Sequence, residues 1–216
     1  GSKEIVAMLP TILEAKSVLY PEIAYPTYLV GALIAKAKSE TVNFDAGSWP
    51  KADLAWINTP SNPTGRVSSD SEIISAIKWA RNNGVAIFDE CYLEFGDSKK
   101  PKSVLSFTNG DNRNILAVHS LSKRSNMAGY RAAMLIGDPE LIARILEVRK
   151  HAGGMVPLPV QKAMVAALSD TDHVSAQRSR YNARREKVRK AIVNAGFDIE
   201  DRKSTRLNSS HVKRSR

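Results

Sequence analysis

An α/β fold, with a mainly parallel sheet covered by helices on both faces, is what the sequence predicts, and three observations predict it. The apolar runs LAWI at 54–57, VAIF at 85–88 and ILAV at 115–118 have the length and continuity of strands buried on both sides. Segments with helical spacing of apolar residues alternate with such runs, the order that builds a parallel sheet. No internal repeat or low-complexity linker breaks the alternation.

The elements follow in order. Residues 3–14 put Ile5, Val6, Leu9, Ile12 and Leu13 at helical spacing, with Pro10 as an irregularity. Ser17–Tyr20 reads as a short strand and Thr27–Lys38 as a second helix. Thr41–Phe44 and Leu54–Ile57 are short β-rich runs, and Asn58–Gly65 is turn chemistry throughout. Asp70 is placed to cap a helix that ends at Asn83-Gly84. Strands are expected at 85–90, Ile115–His119 and Ala132–Gly137. From Pro139 onward the chain reads as helical: Pro139–Lys150, Val160–Leu168, and a long polar helix from about Asp172 to Ala195 stopped by Gly196. The charges of that last helix, from Arg178 to Lys190, suit a solvated face or a bridge between domains.

Composition sets outer bounds. With 216 residues, 43% hydrophobic and 25% charged, the chain has the makings of a globular core and is neither a disordered nor a collagen-like polymer. No apolar run approaches the roughly 18–20 residues that span a bilayer, and the amino terminus lacks a signal pattern. Cys91 is the lone cysteine, which fits a reducing compartment, so a cytoplasmic location and no membrane partner are expected. The net charge of +10 is concentrated in residues 202–216, which hold six basic and no acidic residues; the remainder carries 26 basic against 22 acidic residues, or +4. That tail has no apolar periodicity and resembles translated adapter or vector read-through, so it is expected to leave the globular body after Glu200 or Asp201. Nucleic acid is not an expected partner.

Four features carry chemistry. Asn58-Thr59-Pro60-Ser61-Asn62-Pro63-Thr64-Gly65 is a rigid turn that presents Asn62 at a strand's carboxyl end. Asp89-Glu90-Cys91-Tyr92 ends the apolar strand VAIFDE. Ser120-Leu121-Ser122-Lys123 follows another strand, and a lysine desolvated there can become a Schiff-base nucleophile. Gly129-Tyr130-Arg131 supplies, eight residues after Lys123, a fork suited to a phosphate dianion. Alone, the first three have structural explanations: a tight turn, a helix cap, a surface lysine. His119 precedes Ser120 and is expected near the site, while His151 and His173 fall in or beside helices; all three read as structural rather than catalytic, and no metal-ligand spacing is present.

Together, and in this order, the four features resemble the cofactor site of the fold-type I pyridoxal-phosphate aminotransferases, over essentially all of residues 1–200. The resemblance implies an aspartate-aminotransferase-like large domain, truncated at both ends. Its implied parts are a large domain over 1–170, an interdomain helix and first small-domain strand over 171–201, and the tail over 202–216. The strings GSKEIVAMLPT, PEIAYPTYLVGA, DECYLEFG, HSLSKRSNMAGYRA and VRKHAGGMVPLPVQ look, more closely, like N-succinyldiaminopimelate aminotransferases of the actinobacterial type.

Carried over residue by residue, the resemblance implies catalytic roles for Lys123, Asp89 and Tyr92. Lys123 would hold pyridoxal 5′-phosphate covalently and shuttle a proton, while Asp89 would pair with the pyridine nitrogen. Tyr92 and Asn62 would bond the phenolic oxygen, and Tyr25 would stack on the ring, with Tyr28 close enough in sequence to compete for that place. Ser120, Arg131 and the backbone amides of Ser2 and Lys3 would hold the phosphate. The implied reaction is transamination, from glutamate to an N-succinylated 2-amino-6-oxopimelate, with amino acids and 2-oxo acids as small-molecule partners and a homodimer as the assembly.

Family members are longer than this chain, and no residue here takes the role of the substrate-carboxylate arginine; the chain alone is therefore expected to be inactive. Other fold-type I activities (aromatic, alanine or histidinol-phosphate aminotransferase, or carbon–sulfur lyase) and a non-catalytic effector-binding domain share the same cofactor motifs.

Overall fold

A computed structural model describes residues 1–95, 101–199 and 212–214. Six strands form one sheet in the order β2-β1-β3-β4-β5-β6. They are β1 (Ser17–Pro21), β2 (Lys38–Val42), β3 (Leu54–Asn58), β4 (Val85–Asp89), β5 (Ile115–Ser120) and β6 (Ala133–Gly137). Pairing is parallel from β2 to β5, and β6 runs antiparallel to β5.

Strand side chains alternate between faces, and here both faces are apolar. One face carries Ala55, Ile57, Ala86, Phe88, Ile115 and Ala117 beneath the helix α3 (Asp70–Asn83), whose Ile73, Ala76, Trp79 and Ala80 are buried. The other carries Val18, Leu54, Trp56, Ile87, Leu116 and Val118 beneath α1 (Ser2–Ile12), α2 (Thr27–Ile34) and α5 (Pro139–His151). The predicted two-sided covering is present. Beyond the sheet lie α4 (Leu121–Arg124), α6 (Leu158–Ser169) and α7 (Asp172–Asn194).

Local differences from the sequence reading have physical causes. Ser69, not Asp70, caps α3: its hydroxyl accepts from Glu72 N while the Glu72 carboxylate accepts from Ser69 N, a reciprocal capping box. α2 ends at Ile34 rather than Lys38, because Lys36 takes a left-handed φ of 55° and the amide of Ala37 closes on the carbonyl of Ala32 at 2.9 Å. The second strand then runs over Lys38–Val42 rather than Thr41–Phe44. Its register against Ser17–Pro21 is set by pairing, and its exposed KSET residues suit a sheet edge.

α1 continues through Pro10, which lacks the N–H that would reach the carbonyl of Val6. Gly31 of α2 packs against that same turn: a Cβ at Gly31 would sit 2.9 Å from Val6 O, so only glycine permits the close approach of the two helices.

The basic tail does not wholly leave the fold. Val212–Arg214 form β8, antiparallel to β7 (Phe197–Ile199), which gives the backbone groups of β7 a partner. The rest of the tail, Leu207 included, lies outside the described residues.

Candidate active site

The parallel strands β3, β4 and β5 end side by side, with Asn58 in register with Asp89, and Asp89 with Val118. Such a row of carboxyl ends makes the crevice where α/β proteins gather functional groups. Asn62, Asp89 and Ser120 all leave the sheet at this edge.

Asn58, which the sequence reading did not single out, is the strut between the first two. It is buried, and its Nδ2 donates to the carbonyl of Asp89 at 2.9 Å while its Oδ1 accepts from the amide of Asn62 at 2.6 Å. The turn carrying Asn62 is thereby tied to the strand end carrying Asp89. A polar residue closing the apolar run LAWI was the signal in the sequence.

The Asp89 carboxylate is buried. Its Oδ2 accepts from the hydroxyl of Tyr28 at 2.8 Å, and its Oδ1 from the amide of Cys91 at 3.1 Å. Burial raises its carboxyl above the usual carboxylate range, against the pull of the bonds from Cys91 and Tyr28. Burial also pushes the Tyr28 phenol well above its ordinary value, with the Asp89 charge adding to it, so the phenol stays protonated and donates. Tyr28 is stacked on Trp56 with ring centroids 5.0 Å apart and meets Tyr25 edge-on at 5.9 Å. Of the two tyrosines in AYPTY, Tyr28 thus lies in the core under Asp89, and Tyr25 is half-buried at the rim.

Lys123 stands on the single turn α4, whose amino end is capped by Ser120: the Ser120 hydroxyl accepts from Ser122 N at 3.2 Å. Its side chain is exposed, and Nζ lies 5.8 Å from the ring centroid of Tyr92. Cys91 sits between these groups. Burial pushes its thiol well up and the Asp89 charge adds to that, while a hydrogen bond with the Ser2 side chain and the charge of Lys123 pull it down. Cys91 is thus the group on which Asp89, Ser2 of α1 and Lys123 all act.

At the other end of this group, the carbonyl of Gly1 accepts from the amides of Glu4 and Ile5, which leaves the Ser2 and Lys3 amides without an intrahelical acceptor. Arg131 is exposed, takes a left-handed φ of 52°, and anchors Nη1 on the carbonyl of Ala128 at 2.7 Å. Its guanidinium lies against the start of α1, since a Cβ on Gly1 would be 2.8 Å from Nη2. A helix amino terminus and an arginine fork therefore meet, and Ser120 pairs with Ala133, two residues from Arg131, across the β5–β6 register.

Among the described residues the three histidines each have a carboxylate partner: His119 with Glu90 at 2.7 Å, His151 with Glu147 at 2.8 Å, and His173 with Asp170 at 2.9 Å. Among the described residues no three His, Cys, Asp or Glu side chains are grouped to hold a metal ion. A cavity of about 310 Å³ is an apolar cleft lined by Ile5, Leu9, Ile142 and Met164; none of the candidate residues lines it, so the chemistry and this cleft are separate places.

Comparison with known proteins places this geometry. Residues 1–207 match the family described as aminotransferase class I and II. The chain is 49% identical to a 4-dedimethylamino-4-oxo-anhydrotetracycline transaminase of Streptomyces rimosus, over 93% of this chain and 58% of that protein. It is 48% identical to a probable aminotransferase of Mycobacterium tuberculosis, over 93% of this chain and 50% of that protein. Among solved structures, an N-succinyldiaminopimelate aminotransferase of Mycobacterium tuberculosis superposes with a TM-score of 0.83 at 25% identity, covering 94% of this chain and 58% of that one. The chain spans about half the length of the curated relatives it matches.

Proposed function

The chain belongs to the class I and II aminotransferase family, and from that premise we propose that it is the cofactor-holding part of an enzyme that transfers the amino group of glutamate to the keto carbon of an N-succinylated 2-amino-6-oxopimelate. Enzymes of this family depend on pyridoxal 5′-phosphate. When bound, that group supplies an electron sink for the charge that develops at the substrate's Cα. The residues here fit it at both ends: a buried carboxylate with a raised pKa suits a protonated ring nitrogen, and the Arg131, Ser120 and α1 donor set suits a phosphate.

The observation that carries the reading is the convergence on one sheet edge of Asn62, Asp89 and the segment from Lys123 to Arg131, three separate stretches of the sequence. In this reading Asp89 holds a proton on the ring nitrogen, and its burial among apolar strands makes that charge pairing strong. Lys123 Nζ, beside Tyr92, would hold the group at its aldehyde carbon and would be the base that moves a proton at the substrate's Cα. Tyr92 and Asn62 bond the phenolic oxygen. Tyr25, half-buried at the rim, would cover a face of the ring. Ser2, Lys3, Ser120 and Arg131 orient the phosphate and so fix the reacting end. A homodimer and a cytoplasmic address belong to the same reading.

The named activity of the 25% identical structural relative supports the succinylated substrate. The 49% identical relative, named for a polycyclic ketone, favours a second reading in which the acceptor is a bulkier keto compound. Glutamate-dependent amination by the full-length protein, run on both acceptors and on 2-oxo acids, tests the choice. The reading holds if the succinylated acceptor has the highest kcat/KM, and the second replaces it if the polycyclic ketone does.

A further inference from the structure

We propose that Glu90 and His119 form a positioning pair that fixes the spacing between the Asp89 and Ser120 ends of the site. Glu90 directly follows Asp89, and His119 directly precedes Ser120. Backbone bonding between β4 and β5 ends at the amide of Glu90, which donates to Val118 O at 3.0 Å. One residue further, at the point where the strands part and the site residues leave them, a side-chain bond crosses the gap: His119 Nε2 to Glu90 Oε2 at 2.7 Å.

The Glu90 side chain has no solvent exposure, and that of His119 is 25% exposed. A carboxylate buried so completely is tolerated only when its oxygens are bonded. Both are: Oε1 accepts from the amide of Val104 at 2.6 Å, so the imidazole N–H serves Oε2. Val104 opens the short turn Val104–Phe107, so the pair ties that turn to both strand ends. His119 faces a cavity of about 60 Å³ shared with Leu121 and Arg124, beneath the turn that carries Lys123. The pair acts through the backbone it holds and not on the reacting atoms.

The proposal rests on the functional reading above for only one of its two readouts. In the full 216-residue chain without cofactor, His119→Leu is expected to speed hydrogen exchange of the Cys91 and Ser122 amides, which bond Asp89 and Ser120, by about tenfold, with the amides of β3 unchanged. Affinity for pyridoxal phosphate is expected to fall by about tenfold, and His119→Gln, which can still donate to Glu90, is expected to restore both. Exchange that is unchanged at Cys91 and Ser122, or faster uniformly along the chain, overturns the proposal. If His119→Leu does not fold, Glu90→Ala, which removes both bonds, is read in the same way, with the same local acceleration expected and its absence contradicting the pair's role. Failure of the unaltered chain to bind pyridoxal phosphate would count against the functional reading alone, and exchange would still decide the pair.

Discussion

Tyr28 and Asp89, 61 residues apart, are joined by a 2.8 Å hydrogen bond that couples helix α2 to the end of strand β4. The Tyr28 ring is clamped by its stack on Trp56, so the hydroxyl has one direction in which to donate. Tyr28→Phe keeps the stack and removes the donor. The expected result is a cofactor affinity lower by about tenfold, as befits one hydrogen bond to a buried charge, with the fold retained. Absorbance titration with pyridoxal phosphate and a melting curve check both parts.

Asp89→Asn separates stability from function. Because burial raises the folded-state pKa above the unfolded value, the folded protein binds more protons between those two values, and stability falls as pH rises through that window. Removing the charge should raise the melting temperature of the cofactor-free protein at neutral pH, and the difference should shrink below about pH 4, where unfolded carboxylates are also protonated. In the full-length enzyme the same substitution should lower turnover by about 100-fold or more. Melting curves from pH 3 to pH 8, with kinetics at neutral pH, read both effects.

Arg131→Ala should act on the phosphate only. Loss of a charge-assisted fork costs about 1.5–3 kcal/mol, or about 10- to 100-fold in affinity for pyridoxal phosphate. Affinity for pyridoxal, which has no phosphate, should stay within about threefold. Equal losses for both ligands would remove Arg131 from the phosphate site.

Asp53 is a structural counterpart outside the site. Its Oδ2 accepts from Lys16 N at 2.7 Å, Ser17 N at 2.9 Å and Ser17 Oγ at 3.0 Å, which staples the starts of β1 and β3. Burial would raise its pKa, but the bonds from Lys16 and Ser17 prevail and hold it low. Its stabilisation is therefore present above the unfolded pKa and is lost as pH falls through the folded one. Asp53→Ala should destabilise the protein by about 1 kcal/mol at neutral pH, given its exposure, and by less in acid. Urea unfolding at two pH values measures it.

The central strands were legible because β3, β4 and β5 are buried on both faces and so read as unbroken apolar runs. The edge was not. KSETV is mostly exposed, and only its partner strand decides where β2 begins. The antiparallel direction of β6 has no local signature, since AMLIG would read the same either way. Lys123, Asp89, Asn62 and Arg131 were legible as motifs beside turns. Asn58 and Tyr28 were not, because their roles rest on hydrogen bonds spanning 31 and 61 residues. The role of His119 is not legible either, since nothing in the sequence pairs it with Glu90 across 29 positions.

The central claim is that Lys123 is the amine that holds the cofactor. Borohydride reduction of the chain mixed with pyridoxal phosphate, followed by peptide mapping, tests it most directly. The predicted result is a pyridoxyl group on Lys123, lost in Lys123→Ala. Label on a different lysine, or labelling that persists in Lys123→Ala, would contradict it.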